Sequence, residues 1–314
     1  MNAQVLEWVV ENPAWARATP ELSVLTPFLR DDPRPLLDAL AAEAGRLDGR
    51  AELVLLDDGS GDDVLAEAIA EAVQALRLPA RFVRLAANEG RSRGRNRLAR
   101  HARGRQLLFL DSDMLPDSDH FLAGYLDLIE ADDPAVAFGG FTVDQAPHRR
   151  EHALHRRLAL RSDCLPAAQR ALQPEKYVFT SNLLIRRDVF EAEPFDEAFT
   201  GWGWEDVEWG VRIARRHRIT HLDNTATHLG LDEAGALARK YEQSAGNFGR
   251  ILKAHPDVVR GYPAYRAARL LRGLPLRGLW RRAFKALALS ELAPLAVRAF
   301  SMRLFRASVW AEAV

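Results

Sequence analysis

The sequence predicts an α/β protein whose mainly parallel sheet is covered by helices on both faces. Two observations carry this reading. Short, unbroken apolar runs alternate with longer stretches at helical spacing. Strands joined through helices pair in parallel by right-handed crossovers, and a strand buried on both faces needs no polar alternation. A third observation locates the ligand site. Three of the apolar runs end in polar clusters, Thr26-Pro27-Phe28, Asp57-Asp58-Gly59-Ser60 and Asp111-Ser112-Asp113. Sheets of this kind bind ligands beyond the carboxyl ends of their strands, so the three clusters point to one shared cleft.

The first strand is Leu22–Thr26 (LSVLT), an apolar run that leaves into a loop at Pro27. Asp38–Gly45 is part of a helix. Glu52–Leu56 (ELVLL) is the second strand, followed by helical spacing of Ala and Leu over Asp62–Leu78. Arg81–Leu85 is a third strand, Arg91–Arg103 a helix, and Gln106–Leu110 (QLLFL) a fourth strand. The second half is less regular. Ala135–Phe141 and Tyr177–Ile185 (YVFTSNLLI) are strand candidates, and a helix runs from about Glu205 to Arg216 after the loop Gly201-Trp202-Gly203-Trp204. Ile219–His228 follows. No internal repeat or low-complexity linker interrupts the pattern.

The 314 residues suffice for one large domain or two smaller ones. One cysteine, Cys164, excludes an internal disulfide framework and fits a reducing, cytosolic setting. The first residues lack a basic start followed by an apolar stretch, so no secretory signal is expected. No run of about 18 apolar residues predicts a membrane span. The net charge of zero conceals an asymmetry: residues 260–314 carry a net +9, and residues 1–259 a net −9.

Several constellations carry chemistry. Asp111 and Asp113, two apart on an extended segment, face the same way and can hold a hard divalent cation while substrate phosphates fill its open positions. As a bare tripeptide the pair reads as a solvated turn; its place after a buried strand favours the cation. Asp57-Asp58-Gly59-Ser60 allows a tight turn whose carboxylates accept from a base or ribose, although alone it reads as an ordinary turn and helix N-cap. Asn88-Glu89-Gly90 opens a basic stretch in which Arg93 or Arg95 faces a diphosphate and the other arginines lie on a solvated face. No GxxxxGK[ST] segment is present, which argues against a P-loop nucleotidase. Gly201-Trp202-Gly203-Trp204-Glu205-Asp206 is the most informative segment. Its glycines let backbone approach a ligand, its tryptophans stack on sugars or bases, and an acid at the start of the helix accepts a proton from an attacking hydroxyl. Glu208 reads as surface. His228 is the candidate third metal ligand, with His221 as the fallback.

Together these segments resemble the family 2 glycosyltransferases of the GT-A fold, in the order TPF, LLDDGS, NEGRSRGRN, LLFLDSD, TSNLLIRRDVF, FDEAFTGWGWED. The ending also looks like the acceptor-side motif of β-galactosyltransferases and chondroitin-type polymerases. The resemblance spans about Leu22 to Leu231. It implies a catalytic domain over 21–231, with a nucleotide-sugar half at 22–115 and an acceptor half at 116–231, between an N-terminal extension (1–20) and a helical extension (232–314). It implies that Thr26 and Pro27 line the nucleotide pocket, that Asp57 with Asp58 binds the base, and that Arg95 lies near the nucleotide. Asp111 would contact ribose or metal, and Asp113 and His228 would hold the metal, Mn²⁺ or Mg²⁺. Trp202, Trp204 and Glu205 would border the acceptor, and Asp206 would be the general base of an inverting transfer from a nucleotide-diphosphate sugar, UDP-linked, to a saccharide or glycolipid. The first motif departs from the family pattern, with Phe28-Leu29-Arg30 after the proline in place of an aromatic and an asparagine.

Two features remain outside the motifs. Residues 260–314 mix arginines with Leu, Trp280, Phe284, Phe300, Phe305 and Trp310, and Pro275 and Pro294 divide them into short helices. This reads either as basic amphipathic helices on an anionic membrane, giving a cytoplasmic protein at the inner membrane face, or as helices packed on the catalytic domain. The competing functions are a non-catalytic carbohydrate- or nucleotide-binding module on the same fold and a sugar-phosphate nucleotidyltransferase. The filled acid positions weigh against the first, and the lack of a glycine-rich, lysine-containing loop over Leu22–Asp32 weighs against the second. The acidic body disfavours a nucleic-acid partner.

Overall fold

A computed structural model describes residues 7–314. Eleven strands are present: β1 (Glu7–Glu11), β2 (Leu22–Phe28), β3 (Ala51–Asp57), β4 (Ala80–Leu85), β5 (Gln106–Phe109), β6 (Met114–Pro116), β7 (Val136–Phe138), β8 (Phe141–Thr142), β9 (Leu183–Arg186), β10 (Ile219–His221) and β11 (Ala226–His228). Eight of them form one sheet in the order β1-β4-β3-β2-β5-β9-β7-β10, in which only β1 and β9 run against the others. A small second sheet, β6-β11-β8, sits beside it.

The strand residues show why the sheet is buried on both faces. All seven residues of β3 are buried. Successive side chains point to opposite faces, so Leu53 and Leu55 enter one apolar layer while Val54 and Leu56 enter the other. The first layer packs under the helices Asp63–Ala75 and Phe121–Asp132; the second packs under Arg91–His101 and Glu205–Ala214, with Trp209 fully buried. Glu52, the acid of ELVLL, is fully buried, and its charge is met by Ser23 Oγ at 2.7 Å and by Arg103 Nε at 2.8 Å. Local signals set the helix ends: Asp62 accepts the Leu65 N–H at 3.0 Å, and Gly90, at φ +86°, turns the chain into Arg91–His101.

Two expectations are revised, and one open alternative is met. The run Tyr177–Ile185 is a strand only over β9; its first half is a 3-10 turn, Pro174–Tyr177, and then an irregular segment. That segment meets the carboxyl edge of the sheet, where Leu183 pairs with Phe109, the last residue of β5. At the N-terminus, where no strand was anticipated, Glu7–Glu11 adds an antiparallel edge strand along β4. The basic C-terminal stretch packs on the rest of the chain. Its helix Leu295–Trp310 buries Met302, Phe305, Val309 and Trp310 in a third core that also takes in Trp202, Trp204 and Phe248. No helix among the described residues is long and apolar enough to cross a membrane.

Candidate active site

The candidate site lies where the carboxyl ends of the parallel strands meet the C-terminal helices, at a cavity of about 380 Å³. Asp111, Asp113, Trp202, Trp204, Glu205, Asp206 and His228 all line it. Residues far apart in sequence converge because strand register forces them to. In the small sheet His228 pairs with Met114, so β11 lays His228 beside the residue that follows Asp113. The His228 Nε2 stands 3.1 Å from Asp113 Oδ2. Burial opposes both charges, yet each partner outweighs it: the Asp113 carboxyl is held below its ordinary range and the His228 imidazole above its own.

The DSD segment is a turn and not an extended strand, so its two carboxylates have different partners. The Met114 N–H bonds to the Asp111 carbonyl at 3.1 Å, Asp113 faces His228, and Asp111 accepts from Arg95 Nη2 at 2.8 Å. Consequently no three His, Cys, Asp or Glu side chains among the described residues cluster tightly enough to enclose a metal ion unaided. Asp113 and His228 still fit a hard or borderline divalent ion that takes its remaining ligands from diphosphate and water, as a carboxylate and an imidazole suit Mg²⁺ or Mn²⁺. A cradle surrounds the pair: a Cβ on Gly230 would overlap Asp113 Oδ2 and stand 3.3 Å from His228 Nε2. Behind His228 lies His155, whose ring centroid is 6.0 Å away. Burial and then His228 push the His155 imidazole down to about 4. His155 Nδ1 accepts the Asp232 N–H at 2.8 Å, and Asp232 in turn accepts from Lys240 Nζ at 2.7 Å. Sequence reasoning missed His155, Asp232 and Lys240, which no motif marks.

The second acidic centre is at the helix Glu205–Ala214. Asp206 accepts from the Thr180 N–H at 3.3 Å and from its Oγ1 at 3.2 Å. Burial, then the neighbouring Glu205 charge, pushes its carboxyl up to about 7. Glu205 is buried, its Oε2 has no hydrogen-bond partner, and its Oε1 is 4.0 Å from Arg91. The loop before this helix is strained into place. Gly201, Gly203 and Trp204 all have positive φ, and for a tryptophan at φ +75° this costs about 1–3 kcal/mol. Trp204 is held there between Phe248 and Trp310, each with ring centroids 5.0 Å away, while Trp202 meets Tyr241 at 5.8 Å.

Other anticipated residues take different places. Arg95 does not line the cavity; it is 2% exposed, hydrogen-bonds Asp111, and feels the charges of Asp206 and Glu205. Arg93 is exposed and pairs with Glu197 at 3.2 Å. Thr26 and Asp57 are buried, Pro27 is half-buried, and none of them lines the cavity. Asp57 Oδ1 accepts the Ser60 N–H at 2.8 Å, and Asp58 is occupied by the Glu89 and Gly90 N–H groups at 2.8 and 3.0 Å. Burial nevertheless raises the Asp58 carboxyl. Glu208 is buried, not at the surface, and pairs with Arg212 at 2.8 Å and His255 at 3.2 Å. His221 lies away from the cavity beside Arg170, whose Nε is 3.3 Å from its Nδ1. Cys164 has a thiol pushed up to about 12, mainly by burial, and stays protonated.

Comparison with known proteins bears on the family and the fold. Residues 23–193 match the family described as Glycosyl transferase family 2. A curated relative, the uncharacterized glycosyltransferase YfnE of Bacillus subtilis (strain 168), is 24% identical over an alignment of 237 residues that covers 61% of this chain. The chain spans 59% of that relative's length. Among solved structures, the mannosyltransferase PcManGT from Pyrobaculum calidifontis, in complex with GDP-Man and Mn²⁺, superposes with a TM-score of 0.59 at 16% identity, over 96% of this chain and 89% of that one. The S. aureus TarS fragment 1–349 in complex with UDP-GlcNAc gives 0.51 at 16% identity, over 91% and 89%. At such identities the likeness is one of fold, and that fold is GT-A.

Proposed function

The chain belongs to glycosyl transferase family 2, and from that premise we propose that it moves a sugar from a nucleotide-diphosphate donor to an acceptor hydroxyl with inversion at the anomeric carbon, in polysaccharide or glycolipid synthesis. One observation carries the reading: Asp113 with His228 and Asp206 with Glu205 line the same cavity. Asp206 takes the proton of the attacking hydroxyl, and Thr180 keeps its carboxyl aimed. Trp202 and Trp204 border the acceptor, Trp204 from its place between Phe248 and Trp310, and Glu205 hydrogen-bonds the acceptor. Asp111, oriented by Arg95, meets the ribose or the metal. Thr26, Pro27, Asp57 and Asp58 serve the nucleotide from the neighbouring strand ends. Asp113 and His228, with Asp111 adjacent, would hold a divalent cation, Mn²⁺ or Mg²⁺, which when bound would supply positive charge to the diphosphate leaving group. The segment 232–314 acts as part of the catalytic unit because it walls the cavity. UDP- and GDP-linked sugars are the donors to test, since the two structural neighbours carry UDP-GlcNAc and GDP-Man.

A screen of nucleotide sugars with and without Mn²⁺ tests the reaction class. Metal-dependent release of nucleoside diphosphate from at least one donor is the expected result, and no release from any UDP- or GDP-sugar rejects it. The cradle gives a sharper test of the cation pair. In Gly230→Ala the new methyl turns Asp113 away from His228, and Mn²⁺ affinity in the presence of nucleoside diphosphate falls about 10–100-fold. Calorimetry reads this, and an unchanged affinity removes the pair from the metal site.

We further propose that the outer face of the C-terminal helices rests on an anionic membrane from the cytoplasmic side. Leu270, Leu276, Leu279, Trp280, Leu292 and Phe300 are exposed among the arginines of this net +9 stretch. Deleting the stretch would strip Phe305 and Trp310 from the core, so surface substitution is the cleaner probe. Leu276→Ser/Leu279→Ser/Trp280→Ser is expected to lose most co-sedimentation with phosphatidylglycerol vesicles at unchanged melting temperature. Wild-type protein that fails to sediment with these vesicles refutes the contact.

A further inference from the structure

The C-terminal helix brings two arginines into the cavity that the donor chemistry does not use. Arg303, Arg306 and Trp310 recur at helical spacing, share one face of Leu295–Trp310, and all three line the cavity. The Arg306 guanidinium lies over two rings, 5.2 Å from the Tyr241 centroid and 5.0 Å from that of Trp310. Ring contacts of this kind hold the guanidinium plane, and the N–H edge, which also interacts with the Tyr241 hydroxyl, has no carboxylate on it. Neither arginine forms an ion pair with a carboxylate among the described residues. The other cations of the cavity are engaged: Lys240 with Asp232 at 2.7 Å, His228 with Asp113 at 3.1 Å, and Arg91 near Glu205 at 4.0 Å. Asp163 lines the same wall and interacts with Arg306 only through space.

The arginines sit on the helical wall of the cavity, whereas the nucleotide motifs sit at the strand ends. Two unpaired guanidiniums in a half-enclosed, aromatic-lined space are a receptor for an oxyanion, because guanidinium forks match the edges of phosphate and carboxylate. We propose that Arg303 and Arg306 form an anion subsite for the acceptor, which therefore carries a phosphate or carboxylate group near the hydroxyl that is glycosylated. This rests on the glycosyl-transfer reading above and deepens it by naming the acceptor class. The same chemistry could instead serve the donor diphosphate, and the test separates the two sources.

The experiment is calorimetric titration of inorganic phosphate into the full chain, first saturated with Mn²⁺ and whichever of UDP or GDP binds. Wild type is expected to bind phosphate under these conditions. Arg303→Gln/Arg306→Gln is expected to weaken phosphate at least about tenfold while leaving nucleoside diphosphate affinity within about twofold. Arg303→Lys/Arg306→Lys, which keeps the charge but loses the fork, is expected to fall between them. If the double glutamine variant melts early, Arg303→Gln alone serves, since that residue makes no ring contact as Arg306 does. Phosphate that does not bind the saturated wild type, or that binds the variants equally well, overturns the subsite. An equal loss of nucleoside diphosphate affinity assigns the arginines to the donor and also overturns it. Failure of both UDP and GDP to bind wild type strikes the glycosyl-transfer reading instead, and is seen before any variant is made.

Discussion

Replacing Asp206 by Asn is expected to reduce turnover by about a hundred- to ten-thousandfold, the range that a positioned general base contributes, while nucleoside diphosphate affinity stays within about twofold. The amide keeps the shape of the carboxyl and its contact with the Thr180 Oγ1, but it cannot accept the acceptor's proton. The pH behaviour has a definite sign. Burial, and then Glu205, push the Asp206 carboxyl up to about 7. The base form therefore disappears as pH falls through about 7, and kcat/KM of the wild type drops with it. Stability moves the opposite way. A carboxyl whose pKa is higher folded than unfolded binds more protons in the native state, so native stability declines as pH rises from its unfolded value near 4 towards 7. Asp206→Asn lifts that cost, and above pH 7 the variant is expected to melt roughly 2 °C or more above wild type. A variant that is both slow and less stable at pH 8 would point to lost packing instead of lost base chemistry. One that keeps most of its turnover excludes Asp206 as the base.

Arg95→Met is expected to destabilise the fold by about 3–5 kcal/mol, the usual cost of leaving buried charge without its partner. Arg95 is 2% exposed and 2.8 Å from Asp111, and the charges of Asp111, Asp206 and Glu205 all act on it. Its guanidinium is desolvated, and its Nε and Nη1 have no hydrogen-bond partner, yet the three surrounding acids hold it ionised. Removing it leaves those acids to repel one another. Asp206 should then titrate higher still, so the variant's activity profile shifts to higher pH. Urea unfolding at pH 7.5 checks the magnitude, with Arg91→Ala as the exposed control expected within about 0.5 kcal/mol of wild type. If Arg95→Met unfolds at the wild-type midpoint, the electrostatic account of this cluster is wrong. On this expectation Arg95 acts as a positioning residue, although its place in NEGRSRGRN suggested a position near the nucleotide.

The strands of the first half were legible because each is a short apolar run closed by a turn, and burial on both faces leaves little else for such runs to do. The GWGWED segment stood out as a concentration of glycines, rings and acids in six residues, and its tryptophans and acids do line the cavity. The DSD turn was misjudged as extended, since a tripeptide carries no information about the hydrogen bond that bends it. Glu208 was taken for surface because its partner His255 lies 47 residues away.

Local sequence alone determined the α/β architecture, the polar clusters at the strand ends, and the identity of the acids, because periodicity and turn chemistry act over a few residues. Tertiary structure alone decided which of those acids meet. Register laid His228 against Asp113, burial turned Arg95 away from the cavity, and the packing of Phe305 and Trp310 swung Arg303 and Arg306 into its wall. Each of these depends on contacts between residues distant in the chain, and only the folded core brings them within the few ångströms over which charges and hydrogen bonds act.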